Sequence, residues 1–391
     1  MYNIFNECVE IYNYMEEKRM KNINVGMIGF GYMGKMHTMC YDIMKYYYNT
    51  DVNVNMYAVS KTSKTSFPIK FEKIYPDYKS LINDENVDVI DICVPNFLHK
   101  EILIEAIKAG KHIYCEKPLA ADIESANEVM EAYKKYNYNK TSRITFEYRF
   151  VPAIMRAKQI IDEGKIGNII HFNFKYYGSE FLDPNRPISW QSTKEKSGGG
   201  VLYALGTHAI DLIHYLIGDI DEVYADKRTH FKKRLLLGTD KTVDVEIEDI
   251  LNVQLYSGDK MGTLLLSQVA AGSGIDLTFE IYGEKGAIKF THENPNVIYY
   301  FNNEDEKSPI GGFSGFKAIE TTQKYGKAAS FPPPRVNIAW TRYHIASIFD
   351  FIDAVANNTK AYPDIQDGYK VQLVTDAIYK SAEIKKSITV K

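Results

Sequence analysis

Ile23-Asn24-Val25-Gly26-Met27-Ile28-Gly29-Phe30-Gly31-Tyr32-Met33-Gly34 is the stretch that decides the fold. An apolar run leads into G-x-G-x-x-G, and Lys35-Met36-His37-Thr38-Met39-Cys40 continues in a helix-compatible pattern. Strand, glycine loop, then helix is the order of a dinucleotide-binding βα turn. Such glycines tighten the turn, admit a pyrophosphate against the backbone and aim helix N–H groups at it. Gly29, Phe30, Gly31, Tyr32, Met33 and Gly34 are therefore candidate cofactor contacts.

Working outward, the pattern alternates. Strands are expected over 24–29, 53–60, 89–93 and 112–115, with helices over 33–47 and 100–109, which predicts a parallel sheet covered by helices. Upstream, Ile4, Phe5, Cys8, Val9, Tyr12 and Met15 recur at helical spacing, so a short amphipathic helix is expected there. Beyond Ile144 the character changes. One helix over 149–163 is stopped by Gly164, and alternating runs over 169–177, 220–229, 249–256, 262–270, 277–283 and 287–291 predict a large, mostly antiparallel open sheet. The polar, Gly- and Pro-bearing stretch 302–334 reads as a surface excursion, and 343–356 and 368–382 read as helices. The expected organisation is an extension over 1–21, a doubly wound Rossmann domain over 22–147, and an α/β domain for substrate and oligomerisation over 148–391.

Composition narrows the function classes. A chain of 391 residues with 45% hydrophobic content is long enough for two cores. A net charge of -3 and no long Lys/Arg run argue against a nucleic-acid partner. Cys8, Cys40, Cys93 and Cys115 are scattered without zinc-site spacing, as expected of reduced thiols in a cytoplasmic protein. No segment reaches the ~20 apolar residues of a membrane span, and no secretory signal is read at the N-terminus. There is no internal repeat.

Three further segments carry chemistry. The second strand ends Ala58-Val59-Ser60-Lys61-Thr62-Ser63-Lys64, without the carboxylate that would bind ribose hydroxyls. Ser60, Lys61 and Lys64 instead suit a 2′-phosphate, favouring NADP over NAD. Two later strands end in Val94-Pro95-Asn96, with His99 following, and in Glu116-Lys117-Pro118, at the sheet edge where ligands of parallel sheets sit. Finally, Gly198-Gly199-Gly200-Val201-Leu202-Tyr203-Ala204-Leu205-Gly206-Thr207-His208-Ala209-Ile210-Asp211 sets one histidine in a glycine-led apolar segment far from the cofactor loop. His214 lies six residues from His208 and faces away on a helix, so no metal site is expected.

Together these motifs resemble the glucose-fructose oxidoreductase, inositol dehydrogenase and MocA (Gfo/Idh/MocA) family. The resemblance runs through Gly29 to Gly34, Val94-Pro95-Asn96, Glu116-Lys117-Pro118-Leu119, Tyr148-Arg149-Phe150, Glu163-Gly164-Lys165-Ile166-Gly167, Trp190, and Gly206-Thr207-His208 with Asp211. It implies hydride transfer between a secondary alcohol of a sugar, polyol or sugar derivative and NAD or NADP. It also implies a homodimer or homotetramer built through the C-terminal sheet. Carried over, Lys117 hydrogen-bonds the reacting hydroxyl and His208 accepts its proton, while Tyr148, Arg149, Trp190, Tyr203, Thr207 and Asp211 surround the substrate. An imidazole suits that role because it titrates near neutrality.

One departure stands out. Relatives often carry an aspartate four residues before the histidine, and this chain has Ala204. Orientation of His208 must then come from elsewhere, with Tyr203 and Asp211 as candidates. Two alternatives stay open on the sequence: a redox-neutral sugar-modifying enzyme with tightly held NAD, and a non-catalytic nucleotide-binding protein.

Overall fold

The structure, a computed structural model, describes residues 20–61, 69–188, 193–322, 327–328, 331, 336 and 339–391. The helix expected within 1–20 and the candidate residues Lys64 and Trp190 lie outside the described residues.

The first sheet consists of β1 (Lys21–Ile28), β2 (Val52–Ser60), β3 (Lys73–Tyr75), β4 (Val89–Ile92), β5 (His112–Cys115) and β6 (Ser142–Ile144). Its spatial order is β3-β2-β1-β4-β5-β6 with every pairing parallel, the Rossmann arrangement. Val25, Met27, Val89 and Ile90 are fully buried because helices cover both faces, which is why these strands read as apolar runs. The order reverses between β1 and β4, so a crevice opens beyond their carboxyl ends. Helix α1 (Tyr32–Tyr47) starts there with Gly31 as its N-cap. Helices α2 (Tyr78–Ile82), α3 (His99–Lys108) and α4 (Ile123–Lys135) follow, and Asp77 and Asp122 cap α2 and α4 by accepting from Ser80 and Ser125 backbone N–H groups.

A turn of 3-10 helix over Glu147–Phe150 leads to α5 (Pro152–Asp162). The single helix expected over 149–163 is thus broken, because Val151 precedes proline and adopts an extended conformation. The second sheet uses β7 (Ile169–Tyr177), β8 (Glu222–Arg228), β11 (Ile250–Ser257), β12 (Lys260–Ser267), β13 (Asp276–Gly283), β14 (Gly286–Thr291), β15 (Val297–Asn302), β16 (Lys317–Glu320) and β17 (Ile388–Thr389). The hairpin β9 (Lys233–Leu235) and β10 (Thr242–Asp244) stands apart. The nine strands run in the order β16-β15-β14-β13-β7-β12-β11-β8-β17, antiparallel except for β7 against β12. β15 was not expected, and β16 extends the sheet into the stretch 302–334 expected to be a plain surface excursion.

Between β7 and β8 lie α6 (Lys194–Ser197), a π-helical turn Leu202–Gly206 and α7 (Thr207–Leu216); α8 (Trp340–Ala356) and α9 (Ile365–Ile384) come last. Helix α8 returns to the first sheet. Ile348, Phe351 and Ile352 are fully buried in a core shared with Val25, Met27 and Tyr114, and the buried Arg143 of β6 donates to Ser347 O at 2.9 Å and pairs with Asp350. Late sequence therefore completes the nucleotide-binding lobe and places the head of α8 at the cleft. No helix among the described residues is long and apolar enough to cross a membrane.

Candidate active site

A cleft of about 1310 Å³ runs between the lobes, from the glycine loop to the π-helical turn. At one end it is lined by Gly29, Phe30, Gly31, Tyr32, Met33, Ser60 and Lys61, and in the middle by Val94, Pro95, Asn96 and Glu116. Tyr148, Tyr203 and His208 line the other end.

The three glycines differ in what demands them. A Cβ on Gly29, whose φ is +90°, would lie 2.4 Å from Cys93 O, and one on Gly34 would lie 2.5 Å from Gly29 O. Packing within the chain excludes both. At Gly31 nothing lies within 4 Å, so packing among the described residues does not demand its bareness and the space above it is open. Gly31 also begins α1 without a side-chain cap, leaving helix N–H groups open to an anion. The residues present thus fit a dinucleotide pyrophosphate.

At the far end, Lys117 follows β5 and reaches across the cleft. Its Nζ donates to the carbonyl of Ala204 in the π-helical turn at 2.7 Å. Burial pulls Lys117 below the usual ammonium range, against the opposing pull of Glu116 and Glu147. One turn beyond Ala204, His208 is 6% exposed. Tyr148 packs edge-on against its ring at 5.1 Å, with the phenol held by Tyr176 at 2.7 Å. Burial, the Lys117 charge and His344 hold the imidazole well below its usual range, so it is neutral at pH 7.

Glu147 completes this end and was not expected from the sequence. It is buried in the cleft wall, with Oε2 3.5 Å from His208 Nδ1 and Oε1 3.8 Å from His344 Nε2. Burial and the nearby Glu116 carboxylate push it up to about 8, only partly offset by Lys117 and a hydrogen bond from Trp340. Trp340 and His344 come from the head of α8, and Tyr32 of the glycine loop stacks on Trp340 at 6.2 Å. A local reading of the sequence offered no signal joining 147 to 340 and 344, since only tertiary packing does so.

Several expected contacts stand behind the wall instead. Arg149 donates from Nε and from an Nη to the two Asp211 oxygens at 2.8 and 2.7 Å, and neither residue lines the cleft. Thr207 donates to Tyr203 O, and Gly34 packs on Gly29. His99 is buried between Pro118 O (2.7 Å) and Val94 O (3.0 Å), bracing the two strand ends that face the cofactor end. Neither residue expected to orient His208 is placed to do so, because Asp211 is committed to Arg149 and Gln372 donates to Tyr203 OH at 2.6 Å. The triple glycine also has a packing role. A Cβ at Gly199 would fall 1.8 Å from Tyr379 OH, and one at Gly200 would fall 1.8 Å from Glu248 O. The Glu248 carboxylate in turn accepts from Leu202 N.

Beneath the cleft, His37 of α1 is fully buried between Asp91 (Nδ1 to Oδ1, 3.0 Å) and Glu116 (Nε2 to Oε1, 3.0 Å), with Cys93 Sγ 3.1 Å from Nδ1. Burial alone would lower its pKa; Asp91 and Cys93 more than reverse this and raise it well above the usual imidazole range. Glu116, which burial would raise, is held below the usual carboxylate range by His37. This chain of contacts ends one residue from Lys117.

Residues 23–140 match the oxidoreductase family with NAD-binding Rossmann fold, and 154–289 match the GFO/IDH/MocA C-terminal domain. The chain is 33% identical to levoglucosan dehydrogenase of Pseudarthrobacter phenanthrenivorans, covering 93% of this chain and 97% of that protein. It is 26% identical to an inositol 2-dehydrogenase/D-chiro-inositol 3-dehydrogenase of Lactiplantibacillus plantarum, covering 91% and 90%. A solved structure of levoglucosan dehydrogenase in complex with NADH and levoglucosan superposes with a TM-score of 0.87 at 32% identity, covering 95% of this chain and all of that one.

Proposed function

The chain belongs to the Gfo/Idh/MocA oxidoreductase family, and from that premise we propose that it oxidises a secondary alcohol of a cyclic sugar or anhydrosugar with a nicotinamide cofactor. The observation that carries the reading is that Lys117, bonded to the π-helical turn one turn before His208, and His208 itself line one cleft with the glycine loop.

Gly29 to Met33 and the N-terminus of α1 would hold the pyrophosphate, with Ser60 and Lys61 beside the adenosine ribose and Val94, Pro95 and Asn96 along the middle of the cleft. When bound, the nicotinamide supplies the hydride acceptor. Lys117 holds the substrate hydroxyl oxygen and stabilises negative charge as it develops there. His208 is neutral and takes the hydroxyl proton at Nε2, the ring nitrogen not turned toward Glu147. Tyr148 and Tyr203 shape the pocket. The absence of a carboxylate after β2, with Lys61 there instead, supports acceptance of NADP as well as NAD. The polar outer face of the nine-stranded sheet, which includes Lys175, Thr263, Glu280 and Lys289, is the surface proposed to meet a second copy.

The test is nicotinamide absorbance at equilibrium and during turnover with levoglucosan, inositols, hexoses and sugar phosphates, run with NAD and with NADP. A substrate-dependent rise that disappears in His208→Asn supports the reading. No rise with any of them, or full activity in that variant, rejects it.

A further inference from the structure

We infer that Glu147 is the positioning carboxylate of His208, delivered by the turn after β6 in place of a side chain at position 204. The inference rests on the reading of His208 as the base and assigns what holds that base in its working form. Nδ1 of His208 is sealed from solvent and forms no hydrogen bond within the usual limits. The carboxylate within reach is Glu147, at 3.5 Å. Ala204 has no group to offer, Asp211 is bound by Arg149 through both oxygens, and Tyr203 is occupied by Gln372.

The chemistry follows from the imidazole. A base that accepts at Nε2 must carry its proton on Nδ1, and a carboxylate accepting that N–H fixes the tautomer and faces the cation formed when Nε2 is protonated. During oxidation the substrate O–H bond breaks and its proton forms an N–H bond at Nε2. The electron pair of the carbinol C–H bond leaves with its hydrogen to the nicotinamide, and the C=O bond closes the balance. The imidazolium then lies against Glu147.

Glu147 can serve only while ionised. The groups facing it are Glu116 and Lys117 beyond β5, His208 on α7, Trp340 and His344 on α8, Tyr176 on β7 and its neighbour Tyr148. Burial and Glu116 push it up to about 8, so the pair exists mainly in its unproductive, protonated form at pH 7. Oxidation gains as pH rises through that range, whereas reduction of the carbonyl is favoured below it.

The test is nitrogen NMR of histidine-labelled enzyme saturated with NADH, with the His208 signals assigned by their loss in His208→Asn. The expected result is a shift of His208 to the Nδ1–H tautomer as pH rises through about 8. That transition should be missing in Glu147→Gln, retained in Glu147→Asp, and restored in Glu147→Gln/Ala204→Asp. Turnover of Glu147→Gln, on whichever sugar of the panel is oxidised, falls about ten-fold or more with loss of the alkaline rise. A wild-type His208 that shows no Nδ1–H tautomer anywhere from pH 6 to 10 overturns the inference even if Glu147→Gln does not fold. An unchanged transition in Glu147→Gln overturns it as well. Failure of the parent reading shows separately, as undiminished turnover in His208→Asn.

Discussion

Lys117 Nζ and Ala204 O lie 2.7 Å apart, a single hydrogen bond that joins the strand-end of the nucleotide-binding lobe to the π-helical turn of the other lobe. The acceptor is main chain, so the ammonium is held in the cleft beside the π-helical turn whatever side chain occupies position 204. The interruption of regular α-helix just there agrees with the tendency of π-turns to sit at functional sites.

Replacing this ammonium should separate binding from turnover. Lys117→Met is expected to lower kcat by roughly 10²–10³, the range for loss of one preorganised donor at a developing oxyanion. NADH affinity should change far less, because the glycine loop is untouched. Lys117→Arg should recover little, since a planar guanidinium does not replace a compact ammonium at one point. Steady-state kinetics with an NADH fluorescence titration would check both, and equal losses of turnover and cofactor affinity would count against this placement.

The glycine loop offers a sharper contrast. Gly31→Ala meets nothing within 4 Å, so thermal stability should hold while NADH affinity falls by about ten-fold or more. Gly34→Ala drives a Cβ to 2.5 Å from Gly29 O and should destabilise the fold by about 1–3 kcal/mol. Measuring Tm and NADH binding for the two variants side by side decides between a cofactor role and a packing role at each position.

Arg149 and Asp211 were expected at the substrate, yet their bidentate pair is a buried strut between the turn after β6 and α7. Burial raises Asp211 to about 6 despite the guanidinium beside it, so desolvation outweighs attraction. Asp211→Ala should therefore cost about 3–5 kcal/mol by stranding Arg149, whereas Arg149→Met/Asp211→Leu should recover most of that loss. Urea unfolding reads the stability. The KM of the folded double variant should stay near that of the wild type, and a large rise in KM would return the pair to the substrate.

What was legible in the sequence follows the range of each signal. Periods of two and 3.6 and the glycine loop are local, so the parallel first sheet with four of its six strands, and the long strands from Ile169 to Thr291, were open to reading, while the three-residue β3 and β6 are too short to show a period. β15 was also readable from Val297-Ile298-Tyr299-Tyr300, but polar neighbours obscured it, and Pro152 marked the break before α5. Glu147, Trp340 and His344 converge only because α8 crosses back to the first sheet, and no local pattern encodes that crossing. Asp211 shows the reverse limit: its spacing from His208 is right for a helix-face contact, but a stronger partner at Arg149 claims it.

His37 supplies the pH dependence of stability. Its pKa in the folded protein lies well above its ordinary value, because Asp91 and Cys93 outweigh burial. A group held this way stabilises fully below the unfolded value of about 6.5, and the contribution is lost as pH rises through the folded value. Unfolding free energy should consequently fall from about pH 6.5 toward alkaline pH. In His37→Gln the curve should be lower at pH 6 and flatter across that window, because the buried carboxylates lose their cation while no imidazole remains to titrate. Urea unfolding at half-unit intervals from pH 6 to 9 checks this; parallel curves for the two proteins would mean that folding leaves the His37 pKa unchanged, and a wild-type curve that rises between pH 6 and 7 would mean that His37 is neutral in the fold.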